Sequence, residues 1–409
     1  MPTSINIQSA AARVLDRDGN IDPWFVMLSP NITHKRSAPA FPPRRPDDSA
    51  TTCTIQYREL SEQALSNAEK FVKDLWGELR ALASTEERVF RIMASGRYRS
   101  GTLIKSKFDK NWQEWLPLLR DTVSSDRSIS FALPSFPFKI PNQIKVRRRS
   151  PDMAELLCLQ RLLEICHAIS LVHEPGASFN IISDGIIYSD ICGVSRIEAT
   201  SYFEQIGDMI AQLHATERIK LFDMREDILA SCAADYEEVR TFLEPKLREW
   251  WSAHDKDDQT LHLVRTFATN IDLRPQINAG LSYALSYLGS SQPLDATTQI
   301  NQLLTEIEDQ ATSAAFEFAL TLCALKSIDA VATFFPHDLR ATVHPKPGQW
   351  GIHLVNNKTR VFPWQGVAFK KKSGEWRVHT EAEAIRRRAV PVHLQADPLP
   401  YYYQATSDS

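Results

Sequence analysis

The sequence predicts an α/β fold with a Rossmann-like parallel sheet core, a helical middle region and a β-rich C-terminal part. Two strand-like segments, residues 128–133 and 177–182, are separated by a long apolar helical pattern, and another helical pattern follows the second segment. This strand–helix–strand–helix order is typical of parallel sheets whose strands are joined by crossover helices. Residues 236–330 then carry mostly helical patterns, and short β-type segments dominate from about residue 340.

The first fifty residues differ in composition from the rest of the chain. Residues 1–50 hold a cluster of prolines around the basic pair Arg44–Arg45, which predicts an irregular, Pro-rich extension. We expect residues 51–409 to form one domain. Apolar residues at helical spacing between 65 and 82 predict its first helix.

Capping patterns mark the starts of several further helices. Ser84 with Glu87 forms a capping-box pattern, as does Ser195 with Glu198. Between them, apolar residues over 153–169 predict a buried helix. Another acidic pair predicts one more helix start, at Asp223 with Glu226.

The C-terminal part has the composition of short strands. A hairpin turn is predicted at Ser373–Gly374, between the last two of them. The four β-type segments are residues 352–355, 360–362, 367–369 and 376–378.

Composition excludes several classes of protein. The 409 residues include 47 Lys and Arg against 50 Asp and Glu, so the net charge of -3 does not favour a general nucleic-acid binder. No stretch approaches the roughly 18 apolar residues of a membrane span, and residues 1–22 do not have a secretory pattern. The six cysteines lack C-x-x-C spacing, which favours a reduced, cytoplasmic protein over a disulfide framework or zinc site.

The common catalytic and nucleotide-binding motifs are absent from the sequence. It contains no G-x-G-x-x-G, Walker A, H-E-x-x-H or G-x-S-x-G pattern. His353 and His379 alternate with apolar residues in predicted strands, which is more typical of structural histidines than of metal ligands.

Three segments instead concentrate polar groups where predicted strands end. The first, Leu133–Asn142, is a proline-stiffened loop after a strand. In the second, Glu174–Gly185, the carboxylate of Asp184 follows directly after a strand. The third combines Leu339–Pro345 with the later Pro363–Gly366. In open α/β sheets, ligands bind in the crevice beyond the carboxyl ends of the strands.

These segments contain motifs in a specific order: Phe136-Pro-Phe-Lys139 with Asn142, Pro151-Asp-Met-Ala-Glu155, and Ser183-Asp-Gly185 with Asp190. In this order the chain resembles the isocyanide (isonitrile) synthase family, of the pyoverdine/dityrosine biosynthesis type, over roughly residues 131–366. The Pro-rich N-terminus and the chain length are similar to those of fungal members. By this resemblance, residues 51–409 form an isocyanide synthase-like catalytic domain.

The chain departs from the family pattern at three places. Gln365 follows the late Pro-Trp pair, where the family usually has a histidine. The segment 341–343 reads Ala-Thr-Val instead of Leu-Ser-Ile, and His173 stands where a tyrosine is common. The first departure puts an acid or base role at position 365 in doubt.

The resemblance implies a lyase-type reaction in specialised metabolism. An L-amino acid amine attacks the C2 ketone of ribulose 5-phosphate to form an imine. Proton transfers, phosphate loss and carbon–carbon cleavage then leave C2 as the isocyanide carbon of an α-isocyano acid. The family uses no nicotinamide, flavin or metal, with ribulose 5-phosphate as co-substrate. A separate iron/2-oxoglutarate oxygenase or haem monooxygenase commonly takes the product.

The resemblance and the chemistry together suggest the site residues. Asp184 or Asp190 would hold the amine and act as base, His344 would protonate an oxygen, and Lys139 would polarise the ketone. A phosphate needs Arg or Lys partners. The expected substrate-binding residues are Arg97, Arg99, Asn142, Lys145, Ser183 and Arg340.

Other interpretations of the same residues stay open. Asp184-Gly185 has the composition of a simple turn, Lys139 that of a solvated loop lysine, and Arg340 that of a surface ion-pair partner. Gln365 motivates a non-catalytic phosphosugar-binding or interaction protein on the same fold. A family member that yields a formamide and an aldol-type lyase on sugar phosphates are the remaining alternatives.

Overall fold

The computed structural model describes residues 6–23, 51–100, 105–141, 145–268, 271, 296–343, 345, 350–359, 361–394 and 397–406. These residues divide into two compact units. The helical unit contains the described residues within 1–28, 187–196 and 226–333, and the sheet unit contains those within 29–186, 197–225 and 334–409.

The described elements are numbered here in chain order. The helices are α1 Ile7–Ala11, α2 Tyr57–Ala81, α3 Thr85–Met93, α4 Lys105–Ser124, α5 Met153–Ser170, α6 Gly185–Tyr188, α7 Arg196–Gln212, α8 Ala233–Ala253, α9 Asp258–Phe267, α10 Ala296–Ser327, α11 Ala330–Phe334 and α12 Glu381–Arg386. The strands are β1 Thr51–Cys53, β2 Arg99–Ser100, β3 Ile129–Pro134, β4 Ala177–Ser183, β5 Ile219–Asp223, β6 Leu339–Arg340, β7 Gly351–Ile352, β8 Val367–Lys370, β9 Trp376–His379, β10 Val390–Leu394 and β11 Tyr402–Gln404.

The sheet unit is built on a four-stranded parallel sheet. Its strand order is β5-β4-β3-β6, and every neighbouring pair is parallel. Helix α5 connects β3 to β4, and α7 lies between β4 and β5 in the chain. From β3 the chain adds β4 and then β5 on one side, and β6 later pairs on the other side of β3. The direction in which strands are added to the sheet therefore reverses between β3 and β6. Such a switch point opens a crevice at the carboxyl ends of the two strands.

Helix α5 forms the centre of the sheet unit's core. Most of its residues are buried, including the full run from Met153 to Gln160, and it packs against α2 and β4. Its N-terminus is fixed by a capping box, in which Asp152 accepts from the first turn and Glu155 accepts from the Asp152 N–H. A helix that is apolar on nearly all faces is buried in this way.

The predicted β-rich C-terminal part is present as a second sheet of five strands, in the order β1-β10-β11-β8-β9. Strands β8 and β9 form the expected hairpin, and Gly374 in its turn has a φ of 86°. Two expected strands differ. In the predicted segment 352–355, only Ile352 belongs to a strand, which is Gly351–Ile352 and pairs with β2. In the predicted segment 360–362, Val361 and Phe362 belong to no strand.

The helical unit contains the predicted middle helices. Helix α10 packs against both α8 and α9, and Trp251 meets Phe316 edge-on at 5.6 Å between ring centroids. Residues 6–23 also pack in this unit: α1 contacts α8, and Lys246 donates to the Gly19 carbonyl at 3.1 Å. Residues 24–50 lie outside the described part, so the boundary of the predicted extension stays a prediction.

Two details of the helices bear on the predictions. The capping box at Ser84 is confirmed, and α3 begins directly after it. The pair Asp223 and Glu226 does not start a regular α-helix, because Met224–Ile228 forms a single π-helical turn. Among the described helices, none is long and apolar enough to cross a membrane.

Candidate active site

The carboxyl ends of β4 and β5 bring two aspartates to one edge of the parallel sheet. Ser183, the last residue of β4, lies in register with Asp223, the last residue of β5. Asp184 follows immediately, so both carboxylates lie at the carboxyl edge of the sheet, where ligands bind, one and two strands away from the switch point between β3 and β6. The Asp223 carboxylate is buried and accepts from the Arg225 N–H at 2.8 Å.

The surroundings of Asp184 at this edge perturb its carboxyl strongly. Burial raises the pKa of Asp184 to about 7, and the negative charge of Asp223 adds to the rise, while a backbone hydrogen bond opposes it. No lysine or arginine among the described residues forms an ion pair with Asp184. A carboxyl whose pKa lies near the working pH is suited to general acid–base catalysis.

The loop after β3 is tied to the same edge. The Ser183 hydroxyl donates to the Phe136 carbonyl at 2.9 Å. A Cβ on Gly185 would stand 1.9 Å from the Pro137 carbonyl oxygen, so only glycine permits this close approach. Phe136 has a φ of 57°, which is uncommon for a residue with a side chain. The loop is therefore held in an unusual conformation against Asp184.

A cavity of about 400 Å³ begins at the carboxyl end of β6. Val343 forms one wall, and Phe362 and Pro363 form another. It therefore joins the two parts of the third predicted segment. Aromatic contacts connect it to the Phe136 loop: Trp364 lies 5.7 Å from Phe136 and stacks on Phe362 at 5.4 Å.

Lys139 was expected at the ketone of the substrate. It does not line the cavity at β6, and its ammonium lies inside a buried ion cluster. Its ammonium pairs with Asp152 and, at 3.0 Å, with Glu155, and it donates to the Gly366 carbonyl at 3.3 Å. All three charged side chains have an exposure of 0–1%. The Tyr202 hydroxyl also donates to Glu155, at 3.0 Å. Lys139 thus joins the β3 loop, the start of α5 and the turn before β8.

The predicted phosphate-binding arginines have partners inside the protein. Arg97 donates to the buried Glu164 at 2.6 Å, and the Arg99 guanidinium lies 4.2 Å from the centre of the Trp350 ring. Arg161 also binds Glu164, at 2.7 Å. Arg97 and Arg99 therefore support the local structure, and a contact with phosphate stays a prediction for both.

The other predicted residues fall in different places. Arg340 is exposed on β6 and pairs in register with Ala132 of β3, close to the switch point. Lys145 is buried, and its carbonyl accepts from the Glu381 N–H at 2.7 Å. Asp190 belongs to the helical unit and is exposed. Asn142 and His344 lie outside the described residues.

Sequence reasoning did not identify four residues in or beside the site. Asp223 was interpreted as a helix start, although it also follows a strand; a search for carboxylates after every strand would have found it. Asp152 and Glu155 belong to the motif Pro151–Glu155, but their pairing with Lys139 depends on the fold. The cavity wall at Phe362 carried no signal, because an aromatic residue in a loop is compatible with many roles.

Comparisons with known proteins identify a family and several relatives of this chain. The model of the pyoverdine/dityrosine biosynthesis protein family matches residues 119–391. An L-tyrosine isonitrile synthase of Pseudomonas aeruginosa is 28% identical over 269 residues, which cover 63% of this chain and 74% of the relative. An L-tyrosine isonitrile synthase of Xenorhabdus nematophila is 26% identical, over 72% of this chain and 83% of the relative.

A fungal relative and a solved structure extend the comparison. The isocyanide synthase xanB of Aspergillus fumigatus is 36% identical over 128 residues, which are 29% of this chain and 17% of that protein. The crystal structure of the PvcA protein of Pseudomonas aeruginosa aligns with a TM-score of 0.59 and 23% identity, over 79% of this chain and all of that one. The match to PvcA supports the same α/β fold, and the family match over two thirds of the sequence shows that the chain belongs to the pyoverdine/dityrosine biosynthesis protein family.

Proposed function

We propose that this protein is an isocyanide synthase. It joins the amine of an L-amino acid to the C2 ketone of ribulose 5-phosphate and releases an α-isocyano acid for specialised metabolism. One observation carries the proposal: the raised pKa of Asp184, at the carboxyl end of a parallel strand in a chain related to isonitrile synthases. The relatives' names supply the reaction type, and Asp184 supplies a group suited to it.

Asp184 acts at the amine. An amino acid arrives as an ammonium, which must lose a proton before its nitrogen can attack a ketone. With its pKa near 7, the Asp184 carboxylate first pairs with the ammonium and then accepts that proton. The neutral amine adds to C2, and the adduct loses water to form the imine. Burial is the main cause of the raised Asp184 pKa, and the charge of the second carboxylate, Asp223, adds to it.

The phosphosugar lies toward β6. Arg340 is exposed near the switch point and is the favoured phosphate partner, with Lys145 as a second candidate. His344 protonates the carbonyl oxygen, and Asp190 remains a candidate for a second base. We assign Lys139 to positioning, since its ammonium is already paired with Asp152 and Glu155.

Further parts of the proposal follow from the family resemblance. The parallel sheet is Rossmann-like, the reaction is of the lyase type, and no cofactor takes part besides the co-substrate ribulose 5-phosphate. The protein acts in the cytoplasm, and a separate iron/2-oxoglutarate oxygenase or haem monooxygenase consumes the product.

The test is a reconstitution with purified protein. The protein is incubated with ribulose 5-phosphate and single L-amino acids, and any isocyanide is trapped with a tetrazine and identified by mass. An adduct that needs both substrates supports the proposal, and early time points separate an isocyanide from a formamide formed later.

One structural feature favours a second candidate, a phosphosugar-binding protein without catalysis. Gln365 ends the short helical turn Pro363–Gln365, directly after two residues that form or adjoin the cavity wall, and it cannot supply the proton chemistry of a histidine. Binding of ribulose 5-phosphate by calorimetry, with no adduct from any amino acid, supports this candidate. In that case, adduct formation by the Gln365→His variant would identify the missing group.

A further inference from the structure

We propose that Asn180 and Asp338 form a clamp across the parallel sheet, and that this clamp positions Arg340 for the phosphate of the co-substrate. The inference rests on the proposed function, in which Arg340 is the favoured phosphate partner, and it adds two positioning residues to that site. Asn180 lies on β4, and Asp338 directly precedes β6.

One face of the parallel sheet carries polar side chains where such sheets are usually apolar. Strands of parallel sheets are commonly buried on both faces and rich in Val, Ile and Leu. Here Phe131 and Phe179 stack at 4.9 Å on one face, whereas Ser130 and Asn180 lie on the other. Asn180 is 8% exposed, so its amide needs hydrogen-bond partners within the protein.

The partners of Asn180 lie on the side of the sheet toward β6. Its amide donates to the Ser130 hydroxyl on β3 at 3.0 Å and to the Asp338 carboxylate at 2.7 Å. The second bond crosses β3, because the sheet order is β5-β4-β3-β6. Ala132 of β3 lies in register with Asn180, and its single methyl group leaves room for the crossing. Asn180 thus links a central strand to the residue before β6.

Strand β6 is short and lies at the edge of the sheet, so its position depends on contacts besides its own pairing. Its two residues pair with β3. Beyond β6, the Thr342 N–H donates to the Trp350 carbonyl at 2.9 Å. Before β6, Asp338 is held by Asn180. Arg340 therefore lies between two fixed points, and the clamp is one of them.

The turn that leads into β6 is held on the same face of the sheet. The Asp338 N–H donates to the Phe335 carbonyl at 3.2 Å, which closes the turn. Phe335 meets Phe222 of β5 edge-on, at 5.0 Å between ring centroids. Phe222 lies two residues beyond Lys220, which is in register with Asn180, so both contacts lie on one face. The segment before β6 is therefore attached to β4 and β5 as well as to β3.

The clamp and the Arg340 side chain lie on one face of the sheet. Asn180 and Arg340 are both in register with Ala132, and Asp338 meets Asn180 on this face. Burial raises the pKa of Asp338, while hydrogen bonds from Asn180 and Ser130 oppose the rise. An arginine on a fixed backbone loses less freedom when its planar guanidinium binds phosphate. Loss of the clamp should therefore weaken phosphosugar binding and leave the reacting groups unchanged.

The test combines charge repulsion, an exchange of the two residues and a double-mutant cycle. Asn180→Asp sets a second carboxylate against Asp338, whereas Asn180→Asp together with Asp338→Asn restores one carboxylate and one amide with the donor reversed. Arg340→Gln, alone and combined with Asn180→Asp, measures the affinity that depends on the guanidinium. The matched control is Ile181→Val, at a buried position on the opposite face of β4. Calorimetry gives the Kd for ribulose 5-phosphate, isocyanide formation gives KM and kcat, and Tm reports folding.

We expect Asn180→Asp to raise the Kd for ribulose 5-phosphate at least about tenfold, because Kd rises as the fraction of molecules with a correctly placed Arg340 falls. The kcat at saturation and the KM for the amino acid should stay near wild type, and the exchange variant should recover most of the lost affinity. In the Arg340→Gln background, Asn180→Asp should cause no further loss, since residues that act through one another are not additive. Ile181→Val should lower Tm without changing Kd.

If Asn180→Asp fails to fold, Asp338→Ala enters the same cycle, because it removes the acceptor without adding charge. An unchanged Kd in the folded clamp variants or in Arg340→Gln would overturn the inference. So would an exchange variant as weak as Asn180→Asp, or equal losses with and without the Arg340 guanidinium, because the pair would then serve stability alone.

The binding measurement separates this inference from the proposed function. If Kd responds as expected and no isocyanide forms, the clamp stands and the proposed activity fails. If isocyanide forms and the clamp variants bind ribulose 5-phosphate as wild type does, the activity stands and the clamp fails. If wild type does not bind ribulose 5-phosphate, both fail.

Discussion

Two buried acidic clusters adjoin the loop after β3, and they differ in how their charge is balanced. Asp152 and Glu155 share the ammonium of Lys139 and have no exposed surface. Asp184 lies beside Asp223, a second carboxylate, with no ion pair to a described lysine or arginine. Burial raises the pKa of both Asp152 and Asp184, so the direction of the shift does not distinguish them.

Access and partners do distinguish the two clusters. The first is closed by a lysine, a helix N-terminus and a tyrosine hydroxyl, which satisfies its members and holds three segments together. In the second, Asp223 is buried and Asp184 is half-buried, at the edge where parallel sheets bind ligands. A raised pKa therefore indicates chemistry only where a substrate can reach the group, and the following predictions test this distinction.

The largest expected effect is on catalysis at the open cluster. Asp184→Asn keeps the shape but removes the base, so isocyanide formation should fall by about 10²–10⁴-fold while the protein stays folded. Asp74→Asn, at an exposed aspartate of α2, is the control and should have normal activity. Activity of Asp184→Asn within threefold of wild type would show that the open cluster is not the catalytic one.

The closed cluster should respond in stability instead. Lys139→Met leaves two buried carboxylates without their cation, and removal of one partner of such a cluster costs about 3–5 kcal/mol. Urea unfolding measures the loss, with the exposed Lys372→Met as the control, expected within about 0.5 kcal/mol of wild type. Normal stability combined with lost activity would mean that Lys139 contacts substrate, and the distinction between the clusters would fail.

The loop that separates the clusters gives an intermediate effect. Gly185→Ala places a Cβ against the Pro137 carbonyl oxygen, so the loop must move, at a cost of about 1–3 kcal/mol. In Gly77→Ala, on α2, the new Cβ meets nothing within 4 Å, and a gain of about 0.4–1 kcal/mol is expected. Thermal unfolding of both variants measures the contrast; equal effects would show that the close approach is unimportant.

The order of strands and helices could be predicted from sequence because local patterns specify it. The apolar run of α5, the capping box at Ser84 and the hairpin at Gly374 are all confirmed. The position of Asp184 after a strand was predictable for the same reason. Each of these features depends on residues that are neighbours in the chain.

The features that sequence could not supply depend on distant residues. Lys139 contacts the Gly366 carbonyl across 227 positions, and Asp223 acts on Asp184 only because β4 and β5 are paired in register. A lysine in a polar loop is interpreted as solvated unless its buried partners are known. The chemical role predicted for Lys139 came from the family resemblance, and its buried partners Asp152 and Glu155 are visible only in the fold.

The smallest expected effect is the pH dependence of stability at the open cluster. The folded pKa of Asp184 is about 7, above the value of about 3.9 for an unfolded aspartate. Between these values the folded protein binds a proton that the unfolded chain does not, so stability falls as pH rises from about 4 to about 7. Asp184→Asn removes this loss. Because Asp184 is only half-buried, we expect about 1 kcal/mol at pH 8, which for a chain of 409 residues is a gain of roughly 1 °C in Tm, and no difference from wild type at pH 4. A constant difference in Tm across this pH range would mean that the folded protein does not raise the pKa of the Asp184 carboxyl.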